Sequence, residues 1–385
     1  MIKMGEQLDL FEVSDLDSKE LKPEDKEKNT QASYSAWGWL FQVTAAMVMG
    51  LKYRKNLTEM KVEGKTEDIE LYFKDKKPMF VQAKSTGKSI ENNSNATEHC
   101  TKALNTLINT SNIKKKNYSQ LIYISNFLNP LKLTDEIWRA LWKPSKDELL
   151  VQNYASDIPQ EGKEYLNERA DAAKQQLKAG GYLYTDDYFD WNKVSVATLI
   201  FSRKNEEDLE DNIKECAALN RLIDEILKRD TNKLRDNIEA ELYRRYVSNA
   251  TNFKLMIKKN EICSLFIYKI VQGAPETYLE KKIPIFQQED VETYAKGFID
   301  EQSKNIEVIN KILADFYEFD ASKYANEEEK LNAFIDQEGE DEELKSCFPM
   351  DEKDEEIQKS CLKYLTYKIL YKQHAIKDTR KEFNL

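Results

Sequence analysis

The chain has 385 residues, 41% of them apolar and 33% charged, and a net charge of −11. That length can bury two sizeable cores, and no run approaches the roughly 18 apolar residues that a membrane span requires. Five scattered cysteines with no CxxC pair, and only two histidines, His99 and His374, argue against a disulfide framework and against a zinc site of the usual spacing.

Charge is unevenly spread. Residues 31–130 hold 14 Lys+Arg against 8 Asp+Glu, a balance of +6, so the remainder carries −17. Three basic clusters lie in the positive third: Lys52, Arg54 and Lys55; Lys74, Lys76 and Lys77; Lys114, Lys115 and Lys116. A basic module on an acidic body suits contact with nucleic-acid phosphates, although such clusters also solubilise loops.

In chain order, residues 1–30 form a polar lead-in whose Gly5–Asp25 stretch lacks the layout of a secretory signal, so cytoplasm is expected. Trp37, Leu40, Phe41, Thr44, Val48 and Leu51 recur at helical spacing and predict a helix over 34–52. Three strand-like runs follow, 58–62, 68–73 and 79–84, the last two joined by the charged turn 74–78. A polar stretch, a helix over 98–108 and an apolar strand over 121–124 complete a helix, three strands, helix, strand order.

Beyond Pro130 the chain turns helical, with stretches at 135–142 and 163–177, a tyrosine-rich passage at 182–191 and a strand within 194–201. Tyr182, Tyr184, Tyr188, Phe189 and Trp191 read as tertiary core or subunit contact rather than as a base-stacking platform, because no basic residue interleaves them before Lys193. Long charged helices are predicted over 206–246, 289–318 and 354–373, with an acidic loop or solvated face at 327–356. His99 and Cys100 read as ordinary helix residues. Gly64-Lys65-Thr66 and Gly87-Lys88-Ser89 lack the glycine that a P-loop needs five residues earlier.

In the hairpin 68–84, alternation puts Asp68, Glu70 and Tyr72 on one face and Phe80, Gln82 and Lys84 on the facing one. A turn centred near Lys76 sets Asp68 opposite Lys84 and Glu70 opposite Gln82. A slip by two residues would keep these groups together, and a slip by one would scatter them. A carboxylate, a side-chain amide and the backbone carbonyl of Ala83 are the oxygen donors that Mg²⁺ or Mn²⁺ takes, and Lys84 beside them can orient water or steady developing charge. The bland alternative is an exposed Asp68–Lys84 salt bridge.

The runs 36–42 (AWGWLFQ), 62–70 (VEGKTEDIE) and 80–85 (FVQAKS), in that order, resemble the nuclease domain of the CD-NTase-associated double-stranded DNA endonucleases. That domain belongs to the restriction-endonuclease-like PD-(D/E)xK superfamily and recurs in bacterial anti-phage systems. The likeness covers roughly residues 31–130. It implies an αβββαβ nuclease core within residues 31–200 and a mostly helical regulatory or assembly region over 201–385. By position it implies Asp68 and Gln82 as metal ligands, with Lys84 as the catalytic lysine. Glu63 takes the place of an additional acid, and Gln42 that of a helix glutamine facing the site. Gln82 stands where many members carry Glu, which leaves the second carboxylate open between Glu63 and Glu70. The implied function is a Mg²⁺-dependent endonuclease for double-stranded DNA, an oligomeric anti-phage effector governed by an SMC-like ATPase of the Lamassu type. A HerA-like ring ATPase is the alternative partner, and a non-catalytic scaffold or an RNase on the same fold are the competing activities.

Overall fold

The computed structural model describes residues 30–345, apart from 88, 92–93, 183, 203–210, 229–230, 253 and 302–305, together with 355–385. The chain divides into two units. The first, α/β, takes the chain to Leu222 without residues 54–56 and includes Arg245–Met256; the second is almost wholly helical.

The first unit opens with α1 (Thr30–Lys52), β1 (Leu57–Val62), β2 (Ile69–Phe73), β3 (Met79–Lys84), α2 (Ala96–Lys114) and β4 (Gln120–Ser125). It continues through α3 (Asp135–Leu141), β5 (Leu150–Asn153), α4 (Gln160–Ala179), β6 (Val194–Thr198) and the short α5 (Asp211–Lys214). The division falls within α6 (Ala217–Leu227) and again within α7 (Thr231–Thr251). Six strands of this unit lie in the order β5-β6-β4-β3-β2-β1. β1, β2 and β3 are antiparallel neighbours, β3, β4 and β6 run parallel, and β5 returns antiparallel to β6.

Both faces of the central strands are covered, and their sequences are accordingly near-continuous apolar runs. On one face Phe80, Leu121, Tyr123 and Val196 pack with Leu104, Leu107 and Ile108 of α2 and with Leu166, Ala170 and Ala173 of α4. The other face carries α1, which packs on β1, β2 and β3. Every residue from Leu40 to Leu51 is buried, so this length of α1 is enclosed on all sides and not only along its predicted stripe.

The hairpin β2–β3 pairs Ile69 with Val81, Glu70 with Phe80 and Leu71 with Met79, two residues away from the predicted alignment. Pro78 stands just before β3, and its carbonyl accepts from the Ser119 N–H at 2.7 Å. Because the shift is even, Asp68 and Gln82 still share a face.

Two further expectations change. Residues 245–256 fall in the first unit, where the Asn249 side chain accepts from the Val62 N–H at 2.8 Å and the Lys61 ammonium bonds to the carbonyls of Asn249 and Asn252. The acidic stretch is not all loop: α12 and α13 occupy Glu327–Glu338 and Glu342–Lys345, and 346–354 lies outside the described residues.

The second unit runs through β7 (Ile257–Lys258), α8 (Lys259–Gln272), α9 (Thr277–Lys282), α10 (Ile285–Glu301) and α11 (Glu307–Glu318), then α12, α13, α14 (Glu355–Tyr371) and α15 (Gln373–Glu382). α14 is its hub, packed by α10, α11, α12 and α13 and burying Cys361, Leu362, Tyr364, Leu365 and Ile369. The predicted helix over 289–318 is two helices, α10 and α11, with 302–305 outside the described residues. Among the described residues no helix is long and apolar enough to cross a membrane.

Candidate metal-binding active site

The loop between β1 and β2 is closed by two backbone hydrogen bonds, Glu63 N–H to the Asp68 carbonyl at 2.8 Å and Gly64 N–H to the Glu67 carbonyl at 2.9 Å. Glu63 adopts a left-handed backbone (φ 52°), a conformation that few non-glycine residues take. Gly64 is required on steric grounds: a Cβ there would collide with the Glu70 carboxylate. The tight turn delivers Glu63 and Asp68 to the same end of the hairpin.

Asp68 lies just before β2, beside the last residues of β3. Its Oδ2 accepts from the Ala83 backbone N–H at 2.8 Å and from the Gln82 side-chain amide. In a strand the N–H and C=O of one residue point to the same neighbour, so the Ala83 carbonyl is also directed toward the Asp68 side. Lys84 ends β3, half-buried, and its charge acts on Asp68, Glu63 and Glu67. From α1, Gln42 is 8% exposed, donates to the Asp68 carbonyl at 3.4 Å and hydrogen-bonds the Glu63 carboxylate. Gln42, Glu63, Asp68, Gln82, Ala83 and Lys84 are thus brought together.

Electrostatically the cluster is acid-rich. Burial pushes Asp68 above the usual carboxylate range, opposed by Lys84, the Ala83 N–H and Gln82. Burial raises Glu63 too, aided by Asp68 and opposed by Gln42, Lys84 and Lys61. Glu70, a candidate for the second carboxylate, is already committed: Thr66 donates to one oxygen from its N–H at 3.1 Å and from its hydroxyl at 2.9 Å, and the Tyr72 hydroxyl donates to the other.

Sequence reasoning missed two residues here. Glu67 is 4% exposed, held well above its ordinary range by burial, and accepts from the Thr110 hydroxyl at 2.6 Å. Asn126, fully buried just past β4, fixes the chain beyond Lys84: it accepts from the Thr86 N–H at 2.8 Å and donates to the carbonyls of Thr86 and Phe201, each at 2.7 Å. Trp37 adds a bond from its indole N–H to the Thr86 carbonyl at 2.8 Å and stacks on Phe201. Only an asparagine ending an apolar strand hinted at this clamp.

A divalent cation fits these residues. The donors are all oxygen (the Asp68 and Glu63 carboxylates, the Gln82 amide oxygen and the Ala83 carbonyl), which suits a hard ion. Among the described residues Glu67 Oε2 is buried without a hydrogen-bond partner, and Lys84 acts on all three of Glu63, Glu67 and Asp68. Among the described residues the one group of three acidic, His or Cys side chains whose ligand atoms all lie within 4.8 Å is elsewhere: Asp315, Glu338 and Asp341 in the helical unit. There Lys311 already bonds Asp341 and lies 3.5 Å from Asp315.

The basic clusters sit elsewhere. Lys74, Lys76 and Lys77 occupy the β2–β3 turn, at the opposite end of the hairpin from Asp68 and Lys84. Lys77 donates to the Lys116 carbonyl at 3.1 Å, which gathers Lys114–Lys116 at that same end. Lys76 lies over the rings of Phe73 and Tyr53, and Lys114 over Phe80. Lys52 is exposed. Arg54 belongs to the helical unit, is buried and bonds Glu382 at 2.6 Å, while Lys55 lies 3.8 Å from the same carboxylate. Of the tyrosine-rich passage, Tyr184, Phe189 and Trp191 lie against the α2–α4 core, whereas Tyr182 is exposed. Cys100 is buried, its thiol pushed up to about 12 by burial.

No family model, no curated protein and no solved structure matches this chain.

Proposed function

We propose that the first unit is a metal-dependent nuclease of the PD-(D/E)xK kind, cutting double-stranded DNA. The observation that carries this reading is the convergence of Asp68, Gln82 and Lys84 at one end of the β2–β3 hairpin, with the Ala83 backbone bonded to Asp68. The order α1-β1-β2-β3-α2-β4 supports it as well, since it follows the αβββαβ layout of that superfamily.

Asp68 and Gln82, with the Ala83 carbonyl and Glu63, would hold Mg²⁺ or Mn²⁺. The ion supplies phosphate polarisation and a more acidic bound water. Lys84 holds positive charge beside Asp68, where a non-bridging phosphate oxygen gains charge during cleavage. Gln42 orients Glu63 and the Asp68 backbone. Asn126 and Trp37 fix the segment that follows Lys84, so that its ammonium stays at the site.

The wider assignment rests on the resemblance of residues 31–130. It makes the chain an oligomeric anti-phage effector switched by a separate ATPase, SMC-like in a Lamassu-type complex or, alternatively, HerA-like. Plasmid and RNA incubated in parallel with Mg²⁺, with and without such a partner, test the reading. Cleavage of plasmid that Asp68→Ala and Lys84→Ala each abolish is the expected result. Cutting that survives both substitutions overturns the site, and cutting of RNA alone overturns the substrate.

A further inference from the structure

We propose that Glu67 is a further ligand of the cation at the Asp68 site. This assignment rests on the metal-dependent reading above. Four acids lie between positions 63 and 70, and their surroundings separate them. Glu70 has donors on both oxygens. Glu63 takes a bond from Gln42 and lies close enough to Lys61 to feel its charge. Asp68 receives both of its donors on Oδ2.

Glu67 alone is deeply buried with one oxygen engaged and the other open. Its side chain is 4% exposed, Oε1 is held by Thr110 at 2.6 Å, and Oε2 has no donor among the described residues. A buried carboxylate oxygen without a donor is costly, and natural structures rarely retain one without a ligand, water or ion.

Three features point that oxygen to a cation. Asp68 and Lys84 both act electrostatically on Glu67, so it belongs to the same cluster. Glu67 directly precedes Asp68, whose Oδ2 accepts from the Ala83 N–H, so the two acids adjoin at the end of β3. Gln82 brings no charge of its own, and Glu67 adds to the negative charge that a divalent cation needs. Thr110, one buried residue on α2, fixes the near oxygen and leaves the far one to bind, the kind of second partner that orients a metal ligand.

Mn²⁺ binding to the full-length protein, followed by electron paramagnetic resonance of the free ion, reads this directly. Glu67→Gln keeps the side-chain volume and an acceptor for Thr110, and it should weaken Mn²⁺ binding about tenfold or more. Glu63→Gln should weaken it by less. Glu67→Asp, which keeps the charge on a shorter stem, serves if the amide variant misfolds and should give an intermediate loss. Mn²⁺ affinity within about twofold of wild type in Glu67→Gln overturns the assignment, as does a wild-type protein that binds no Mn²⁺. Plasmid cleavage measured alongside separates the two ideas. Glu67-dependent Mn²⁺ binding without cutting removes the nuclease reading and leaves the ligand in place. Wild-type cutting and binding in Glu67→Gln removes the ligand alone.

Discussion

The Ala83 backbone N–H donates to Oδ2 of Asp68 at 2.8 Å, so a side chain takes the place of the β2 backbone just where that strand has ended. Gln82 donates to the same oxygen. Replacing that amide by an acid would remove a donor and set two carboxylates side by side in a buried place. Gln82→Glu should therefore lower metal-free stability by about 1–3 kcal/mol. The same change supplies a second anionic ligand, so added Mg²⁺ should raise the melting temperature of Gln82→Glu more than that of wild type. An equal Mg²⁺ response in both proteins would show that Gln82 does not face the ion.

A second relationship couples α1 to α7. A methyl on Gly50 would fall within van der Waals contact of the Tyr246 hydroxyl and 2.8 Å from Met60 Sδ, while the ring carbon that bears the hydroxyl stays at 3.5 Å. Gly50→Ala alone should destabilise by about 1–3 kcal/mol through overpacking, despite the better helix propensity of alanine. Tyr246→Phe should cost little, since among the described residues its hydroxyl donates only to the Met60 thioether at 3.2 Å. Together they should recover most of the stability, with a favourable coupling of about 1–2 kcal/mol in a denaturant double-mutant cycle. Additive effects would mean that the hydroxyl is not the obstacle.

The same packing shows what sequence reading reaches and where it stops. β3 was legible residue for residue, and β1, β2 and β4 to within a residue, because apolar runs between Gly, Pro and charged turns are local signals. Asp68, Gln82 and Lys84 were legible as one group, because alternation fixes the face and an even register shift leaves it unchanged, whereas Glu63 and Gln42 joined it only through the family resemblance. Gly50 gave no sign of needing space, since its neighbour Tyr246 is distant in sequence. Nor did residues 245–256 announce their place in the first unit, because a helix with no strong apolar stripe says nothing of where its far end docks. Glu67 was passed over because an acid next to an acid looks like solvated charge; only its burial against Thr110 separates it from Glu63 and Glu70.

The lysines of the β2–β3 turn yield a prediction about DNA that is separate from the chemistry. They lie at the hairpin end away from Asp68 and Lys84, with Lys77 bonded to the Lys116 carbonyl. If this patch touches phosphates, changing Lys74, Lys76 and Lys77 to Gln should flatten the log–log salt dependence of duplex binding by about 0.9 for each phosphate that is no longer neutralised. Cleavage at saturating DNA should hardly change, because none of the three adjoins the metal donors. An unaltered salt slope would assign the patch to solubility instead.

Glu338 offers a test by pH. Burial first, then the neighbouring Asp315 and Asp341, raise it to about 7 from an ordinary 4.5, against the opposing charge of Lys311. The folded protein then holds a proton that the unfolded chain releases, so this group lowers stability as pH climbs from about 4.5 to about 7, and the full penalty stands above that range. Glu338→Gln lacks the penalty. At pH 8 it should be more stable than wild type by about 1–2 kcal/mol, allowing for partial solvation of the cluster, whereas at pH 4.5 the advantage should vanish. Urea unfolding at the two pH values measures the difference. A gain of the same size at both would tie the effect to packing around α12 rather than to the carboxyl proton, since only a titrating group can make the benefit appear as the solution becomes alkaline.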